Sequence, residues 1–236
     1  MAKAGNRAVS SQAGSSDVMR ALGLTVEQSA EAAEASLASD GFAYLHAPSF
    51  HPGMRHAGPV RAELGVRTAF NMIGPLANPA RPRRQLVGVP DPAAAESVAA
   101  ALHELGTERA FVVHGDQLDE LPLDGSGVIY DVSPGGIERQ TVEATDAGLA
   151  AAPTEAFIGG TGDENAALIM RIFEGAETGP RHDVVALNAG AALVVAGRVD
   201  DLRSGVELAA QTIASGAARE QLERLRASAS NAQAAS

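Results

Sequence analysis

Between residues 3 and 18 the chain reads KAGNRAVSSQAGSSDV, which sets Lys3 and Arg7 among two glycines and four serines. Ammonium, guanidinium and hydroxyl groups are the donors that hold phosphate, and glycine lets main-chain N–H groups approach it closely. A helix starting just behind such a run adds the positive end of its dipole. The same composition also describes a solvated arm. A second candidate is the pair Asp119–Glu120 in VVHGDQLDELPL, directly after an apolar run that reads as a buried strand. Functional groups of open α/β sheets collect at the carboxyl ends of strands. Adjacent carboxylates there suit Mg²⁺, which keeps several waters and binds through one or two carboxylates plus substrate phosphates. The competing reading is an acidic surface turn.

Two other segments invite chemistry and carry less. GGTGDENAAL at 159–168 has the look of a phosphate loop but no Walker lysine. Asp163 and Glu164 would also repel an anion from the same helix start, so the run reads as a capped helix entry. His46, His51 and His56 stand five residues apart, a spacing that shares no helix face. With no cysteine and no H-E-x-x-H, zinc is not expected, and His51 and His56 read as polar groups beside a cleft or on the surface.

The elements that must position these groups come from a chain of 236 residues, 45% hydrophobic and only 3% aromatic, so Ala, Val and Leu must fill the core. The formal net charge of −11 argues against polyanionic partners such as nucleic acid or a membrane surface. Cations for an anionic small molecule must then be gathered locally, as at Lys3, Arg7 and Arg20, or at Arg81, Arg83 and Arg84. Absence of cysteine excludes disulfides and thiolate catalysis. No apolar run approaches the length of about 18 residues that a membrane span needs, and a cytoplasmic location is expected.

Ser15 or Ser16 is expected to cap a short helix that Gly23 ends, and Thr25-x-x-Gln28 to box the next, which Gly41 ends. FAYLHAPSFHP reads as irregular, MRHAGPVRAELG as a helix broken at Pro59, and NMIGPLANPARPR as loop. QLVGV, then DPAAAESVAAALHELG with Asp91 as cap and Pro92 at the first turn, then RAFVVHG, form a βαβ unit. GVIYDVS and GIERQTVEA are strands, with a hairpin around PGG. DENAALIMRIFEG and NAGAALVVAG read as helices separated by HDVVALN, and two further helices precede an Ala/Ser tail. One α/β domain with helical additions is expected.

KAGNRAVSSQAGSSDVMRALG, FHPGMRHAGPVRAELGVRTAFNMIGPLANPA, VVHGDQLDEL, ENAALI and DVVALNAGAALVVAG occur in this order. In that order they resemble the anthranilate phosphoribosyltransferase family, over nearly the whole chain. The resemblance implies the parallel-sheet α/β domain of nucleoside phosphorylases and phosphoribosyltransferases over residues 1–225. It further implies a helical N-terminal domain that is largely missing, and usually a homodimer; the Ala/Ser composition of 226–236 reads as a disordered tail. It implies transfer of a phosphoribosyl group from 5-phosphoribosyl 1-pyrophosphate to anthranilate in tryptophan biosynthesis, with Mg²⁺. By the same resemblance Lys3, Gly5, Asn6, Arg7, Ser10, Ser11 and Ser15 contact phosphoribosyl pyrophosphate. Asn6, Arg61 and His51 contact anthranilate, and Asp119 and Glu120 hold the metal.

The chain departs from the family in two places. Ala4 stands where the family has histidine in Lys-His-Gly-Asn-Arg. The family's front third, with a GTGGD loop and an Asn-x-Ser-Thr segment that cradle pyrophosphate and metal, is absent from the sequence, which implies impaired activity. The competing expectations are a pyrimidine nucleoside phosphorylase-like enzyme and a non-catalytic remnant acting as an interaction protein.

Overall fold

The opening residues are not a loose arm. In the computed structural model, which describes residues 1–7, 12–53, 63, 73–74, 76–115 and 118–234, they form a strand. The elements run β1 (Ala2–Gly5), α1 (Ser15–Ala21), α2 (Ala30–Asp40), β2 (Ala43–His46), α3 (Ala47–Phe50), β3 (Arg84–Gly88), α4 (Pro92–Glu104) and β4 (Arg109–His114). There follow β5 (Ser126–Ser133), β6 (Gly136–Glu143), a 3-10 turn at Thr154–Ala156, α5 (Gly162–Phe173), α6 (Pro180–Val195), α7 (Leu202–Ala214) and α8 (Ala217–Ala234). The residues pack as two compact units. One unit holds 1–81, 159–171 and 217–236; the other holds 82–158 and 172–216.

In the first unit β1 and β2 pair in parallel, from Ala2↔Ala43 to Gly5↔His46. Ala33 of α2 packs with Ala43 and Leu45 into a small core joined by Ala2, Leu37 and Phe50. The cap of α1 is Gly14 rather than Ser15 or Ser16, and Asp17 Oδ2 accepts from the Gly14 N–H at 2.9 Å. Helix α2 begins after Ser29, whose Oγ accepts from Ala32 N, so the expected Thr25–Gln28 box does not form. Gln28 instead donates through Nε2 to the Tyr44 carbonyl. Gly41 ends α2 in the left-handed conformation, φ 70°, as its position predicts.

The expected tail is also helical. Helix α8 runs through Ala234, and Arg226 Nε donates to Leu22 O at 2.7 Å, at the end of α1. Gln221 Nε2 donates to Asp40 O, and Ser228 Oγ to Asp40 Oδ1. Ala-rich composition read as fraying is also the composition of highest helix propensity, and these anchors hold it.

In the second unit the βαβ expectation is met by β3, α4 and β4, with β3 and β4 parallel. Asp91 caps α4 by accepting from Ala93 N, Pro92 occupies the first turn, and Gly106 follows at φ 73°. The sheet is mixed rather than all parallel. Its order is β3-β4-β5-β6; β4–β5 is antiparallel, and so is β5–β6, where the two-residue Pro134-Gly135 turn can only return the chain beside itself. Phe111, Val113 and Ile129 share a core with Val184, Leu187, Ala191 and Val194 of α6 and Val206 of α7.

Helix α6 is continuous through HDVVALN, where a break was expected. Val184, Val194 and Val195 are buried in the core shared with the sheet, which offsets their weaker helix propensity. Arg84 Nη1 donates to Val195 O at 2.9 Å and Arg109 Nη1 to Val194 O at 3.3 Å, two cations at the helix carboxyl end. Arg109 also bridges Asp131 at 3.1 Å.

Helices α6 and α7 cross at two glycines. A Cβ on Gly190 would lie 2.7 Å from Val206 N and 2.8 Å from Gly205 C. Gly190→Ala is expected to lower stability by about 1–3 kcal/mol despite alanine's better helix propensity, because backbone cannot yield as a side chain does. Urea denaturation measures it, and an unchanged midpoint would show that the crossing is loose.

Candidate substrate and metal residues

The sequence-predicted residues fall into the two units, and each group is described within its own. In the first unit β1 delivers Lys3 to its exposed face and ends at Gly5. Main-chain N–H of Ser16 donates to Asn6 O at 3.2 Å, and Ser15 Oγ donates to the same carbonyl at 3.5 Å. Asn6 Oδ1 accepts from Arg7 N at 2.8 Å. Gly5 therefore lies against the start of α1, where a Cβ would overlap Ser15 Oγ and the Tyr44 hydroxyl. Gly5, Asn6 and Ser15 are brought together. Ser10, Ser11 and Arg61 lie outside the described residues, as do His56 and most of the expected helix at 54–65.

The cations nearby are held but exposed. Arg7 lies 3.5 Å from Glu27, and Arg20 lies 3.8 Å from Asp17 and 3.9 Å from the same Glu27 oxygen. Such exposed pairs are weak in water. Ala4, in place of the family histidine, is exposed on β1 opposite Leu45 in the register. His51 directly follows α3; its main-chain N–H donates to Ala47 O and its ring is half-buried.

The sequence reading missed a buried polar chain behind this segment. Ser15 Oγ is 2.9 Å from the Tyr44 hydroxyl, which is 2.8 Å from Ser16 Oγ, which is 3.0 Å from His46 Nδ1. Tyr44 is 1% exposed, Ser16 0% and His46 4%. All four residues of β2 are buried, so no alternation marks it as a strand.

In the second unit Asp119 and Glu120 are exposed on the connection after β4. The loop is fixed at three points. Gly115 N donates to Leu118 O at 3.0 Å. Gly88, last residue of β3, leaves room where its Cβ would overlap the Asp119 carbonyl oxygen. Asn188 of α6 accepts from Leu121 N through Oδ1 and donates to Leu121 O through Nδ2, both at 2.9 Å, and also donates to Val184 O. The amide thus pairs with Leu121 as a strand neighbour would. Asn188 was visible in the sequence only as a lone amide within an apolar run.

The capped helix entry at 159–168 is as expected. Thr161 Oγ1 accepts from Glu164 N at 3.3 Å, and Glu164 Oε2 accepts from Thr161 N at 2.8 Å. Donation from Thr161 N, and from Thr161 Oγ1 at 2.9 Å, holds the Glu164 carboxyl below its ordinary range. Among the described residues no group of three or more His, Cys, Asp or Glu is placed to hold a metal by itself. Nor is any helix among them long and apolar enough to cross a membrane.

Two outcomes follow from this geometry. Asn188→Ala leaves the N–H and C=O of buried Leu121 without partners, which should cost about 1–3 kcal/mol. Hydrogen exchange at the Leu121 amide should quicken while β4 stays protected; equal exchange in both proteins would remove Asn188 from this role. Burial pushes the His46 imidazole below its ordinary value of 6.5, with Arg7 and Arg20 adding to the shift and Glu27 opposing it. The unfolded chain then binds more protons than the folded one, so this stability is present above pH 6.5 and is lost as pH falls through the lowered value. Melting temperatures between pH 7.5 and 5 should fall in the native chain and fall less in His46→Asn.

The family described as "Glycosyl transferase family, a/b domain" matches residues 1–219. Anthranilate phosphoribosyltransferase of Herpetosiphon aurantiacus is 46% identical over 227 residues, 95% of this chain and 67% of that protein. The enzyme of the same name from a Roseiflexus species is 49% identical over an equal span. The crystal structure of anthranilate phosphoribosyltransferase from Thermus thermophilus superposes with a TM-score of 0.89 at 46% identity, covering 96% of this chain and 67% of that one. The Saccharomyces cerevisiae enzyme, solved in complex with PRPP and Mg, superposes with a TM-score of 0.88 at 26% identity, covering 98% of this chain and 65% of that one. The chain thus spans about two thirds of the length of these relatives.

Proposed function

The chain belongs to the anthranilate phosphoribosyltransferases of the glycosyl transferase family, and on that premise we propose that it takes part in the same transfer. The phosphoribosyl group of 5-phosphoribosyl 1-pyrophosphate passes to the amine of anthranilate, giving N-(5-phosphoribosyl)anthranilate and pyrophosphate, a step of tryptophan biosynthesis. The bond from the anomeric carbon to the pyrophosphate oxygen breaks, the bond to the amine nitrogen forms, and the amine loses a proton. Charge at the sugar resembles that of glycoside cleavage. An aromatic amine needs little activation, so fixing both reactants and stabilising the leaving group supply most of the rate.

Lys3 and Arg7 offer charge to the phosphates, and Ser10, Ser11 and Ser15 offer hydroxyl donors. Gly5 lets the strand end close against Ser15 and Tyr44, which sets Ser15 beside Asn6. Asn6 reaches both substrates, Arg61 takes the anthranilate carboxylate in a planar fork, and His51 lines the anthranilate side. Asp119 and Glu120 fit Mg²⁺ in its usual mode, because two carboxylates suffice when the substrate supplies phosphate oxygens. Bound there, the ion neutralises charge developing on the departing pyrophosphate. A homodimer in the cytoplasm completes the reading.

The observation that carries this proposal is the exposed carboxylate pair at the carboxyl end of β4, on a loop fixed by Gly88 and Asn188. An adventitious acidic turn needs no such fixing. Asp119→Asn with Glu120→Gln keeps shape and removes two charges. Calorimetric titration with 5-phosphoribosyl 1-pyrophosphate and Mg²⁺ should then show binding weakened at least tenfold and a higher Mg²⁺ requirement. The melting temperature should hold or rise, since adjacent carboxylates repel in a protein of charge −11. Identical titration curves would take the pair out of the site.

A further inference from the structure

We propose that His46, Ser16 and Tyr44 are positioning residues that turn the Ser15 hydroxyl proton outward, and that His46 does this by resting in the Nδ1–H tautomer. The proposal deepens the reading of Ser15 as a phosphate donor and rests on it.

The argument is a count of protons. The chain Ser15 Oγ, Tyr44 hydroxyl, Ser16 Oγ, His46 Nδ1 has three links, of 2.9, 2.8 and 3.0 Å. Each link needs one proton, and each hydroxyl has one to give. If His46 Nδ1 is bare, Ser16 must donate to it, Tyr44 to Ser16 and Ser15 to Tyr44. Ser15 then shows only lone pairs to an incoming phosphate, which repels it. If His46 Nδ1 carries the proton, every donor turns the other way. His46 donates to Ser16, Ser16 to Tyr44 and Tyr44 to Ser15, and the proton of Ser15 remains for another acceptor.

A separate contact is compatible with the second arrangement. Ser15 Oγ lies 3.5 Å from the carbonyl oxygen of Asn6. A carbonyl only accepts, so it offers the Ser15 proton a partner when Tyr44 is the donor to Ser15. That long bond is also easily exchanged for a shorter, charge-assisted one to phosphate. Burial holds the arrangement: Tyr44 and Ser16 are closed to bulk solvent, and reversing one link requires reversing all. Gly5 belongs to the device, because any side chain there would overlap both Ser15 Oγ and the Tyr44 hydroxyl.

The decisive measurement is the tautomer of His46 in the unliganded chain, read from long-range ¹⁵N–¹H correlation spectra at pH 7.5. Protonated Nδ1 with bare Nε2 is the expected result; bare Nδ1 overturns the proposal. His46→Asn, whose amide can still donate from the same branch, should bind 5-phosphoribosyl 1-pyrophosphate with Mg²⁺ within about twofold of the native chain. Tyr44→Phe removes the donor to Ser15 and should weaken binding roughly three- to tenfold. If Ser15→Ala weakens binding and Tyr44→Phe does not, the relay has no part in positioning Ser15. If Ser15→Ala binds as tightly as the native chain, the phosphate reading of Ser15 fails and the positioning role with it, whatever the tautomer.

Discussion

At Gly88 the carbonyl of Asp119 takes the space that a Cβ would fill, and much of the second unit depends on that approach. The loop can cross the end of β3 only where the strand has no side chain. Once there it presents two carboxylates to solvent, and Leu121 turns inward within reach of Asn188. Asn188 in turn stands where it does because α6 meets α7 backbone to backbone at Gly190 and Gly205. The same constraint recurs in the first unit at Gly5, where strand and helix start meet. Interiors pack at nearly crystal density, so a missing methyl sets a position as firmly as a large side chain does.

Electrostatics divides the labour differently. The chain carries −11 overall, yet the residues proposed to meet phosphate include Lys3 and Arg7, with Arg20 close by. Glu27 is shared by the two arginines, so one carboxylate faces two guanidinium groups. Acidic groups elsewhere are spent on structure: Asp91, Glu164 and Asp201 cap helices, and Asp131 fixes Arg109. Hydrogen bonds to Ser204 hold the Asp201 carboxyl below its ordinary value, as bonds to Thr161 do for Glu164. A strongly acidic total is thus compatible with an anion-binding segment, because field strength at a few ångströms depends on neighbours rather than on the sum.

Local signals were legible wherever chemistry and spacing agreed. Asp91 with Pro92 fixed the start of α4, Gly41 the end of α2, and PGG the hairpin. Tertiary packing decided the rest. Strand β2 is buried on both faces and shows no alternation, so FAYLHAP looked irregular. Helix α6 carries valines that suggest a break until the sheet beneath them is known. The polar chain through Tyr44, Ser16 and His46 joins residues about thirty positions apart, and nothing in either segment announces the other. The opening motif and the carboxylate pair were readable as residue types with a purpose. Their second line of support was not, because it is a property of contacts and not of spacing.

The first unit is assembled from three separated stretches, 1–81, 159–171 and 217–236. Arg226 reaches Leu22 across 204 residues of sequence. During vectorial synthesis at about 5–20 residues per second, the early strands and helices therefore wait many seconds for the helix that closes them. The second unit has its sheet within 84–143 and can gain order sooner. Interactions this distant in sequence cost loop-closure entropy before they return any enthalpy, and they slow the final step. Until α8 leaves the ribosome, its bonds to Leu22 and Asp40 are unmade, so the first unit is closed late by its most distant stretch.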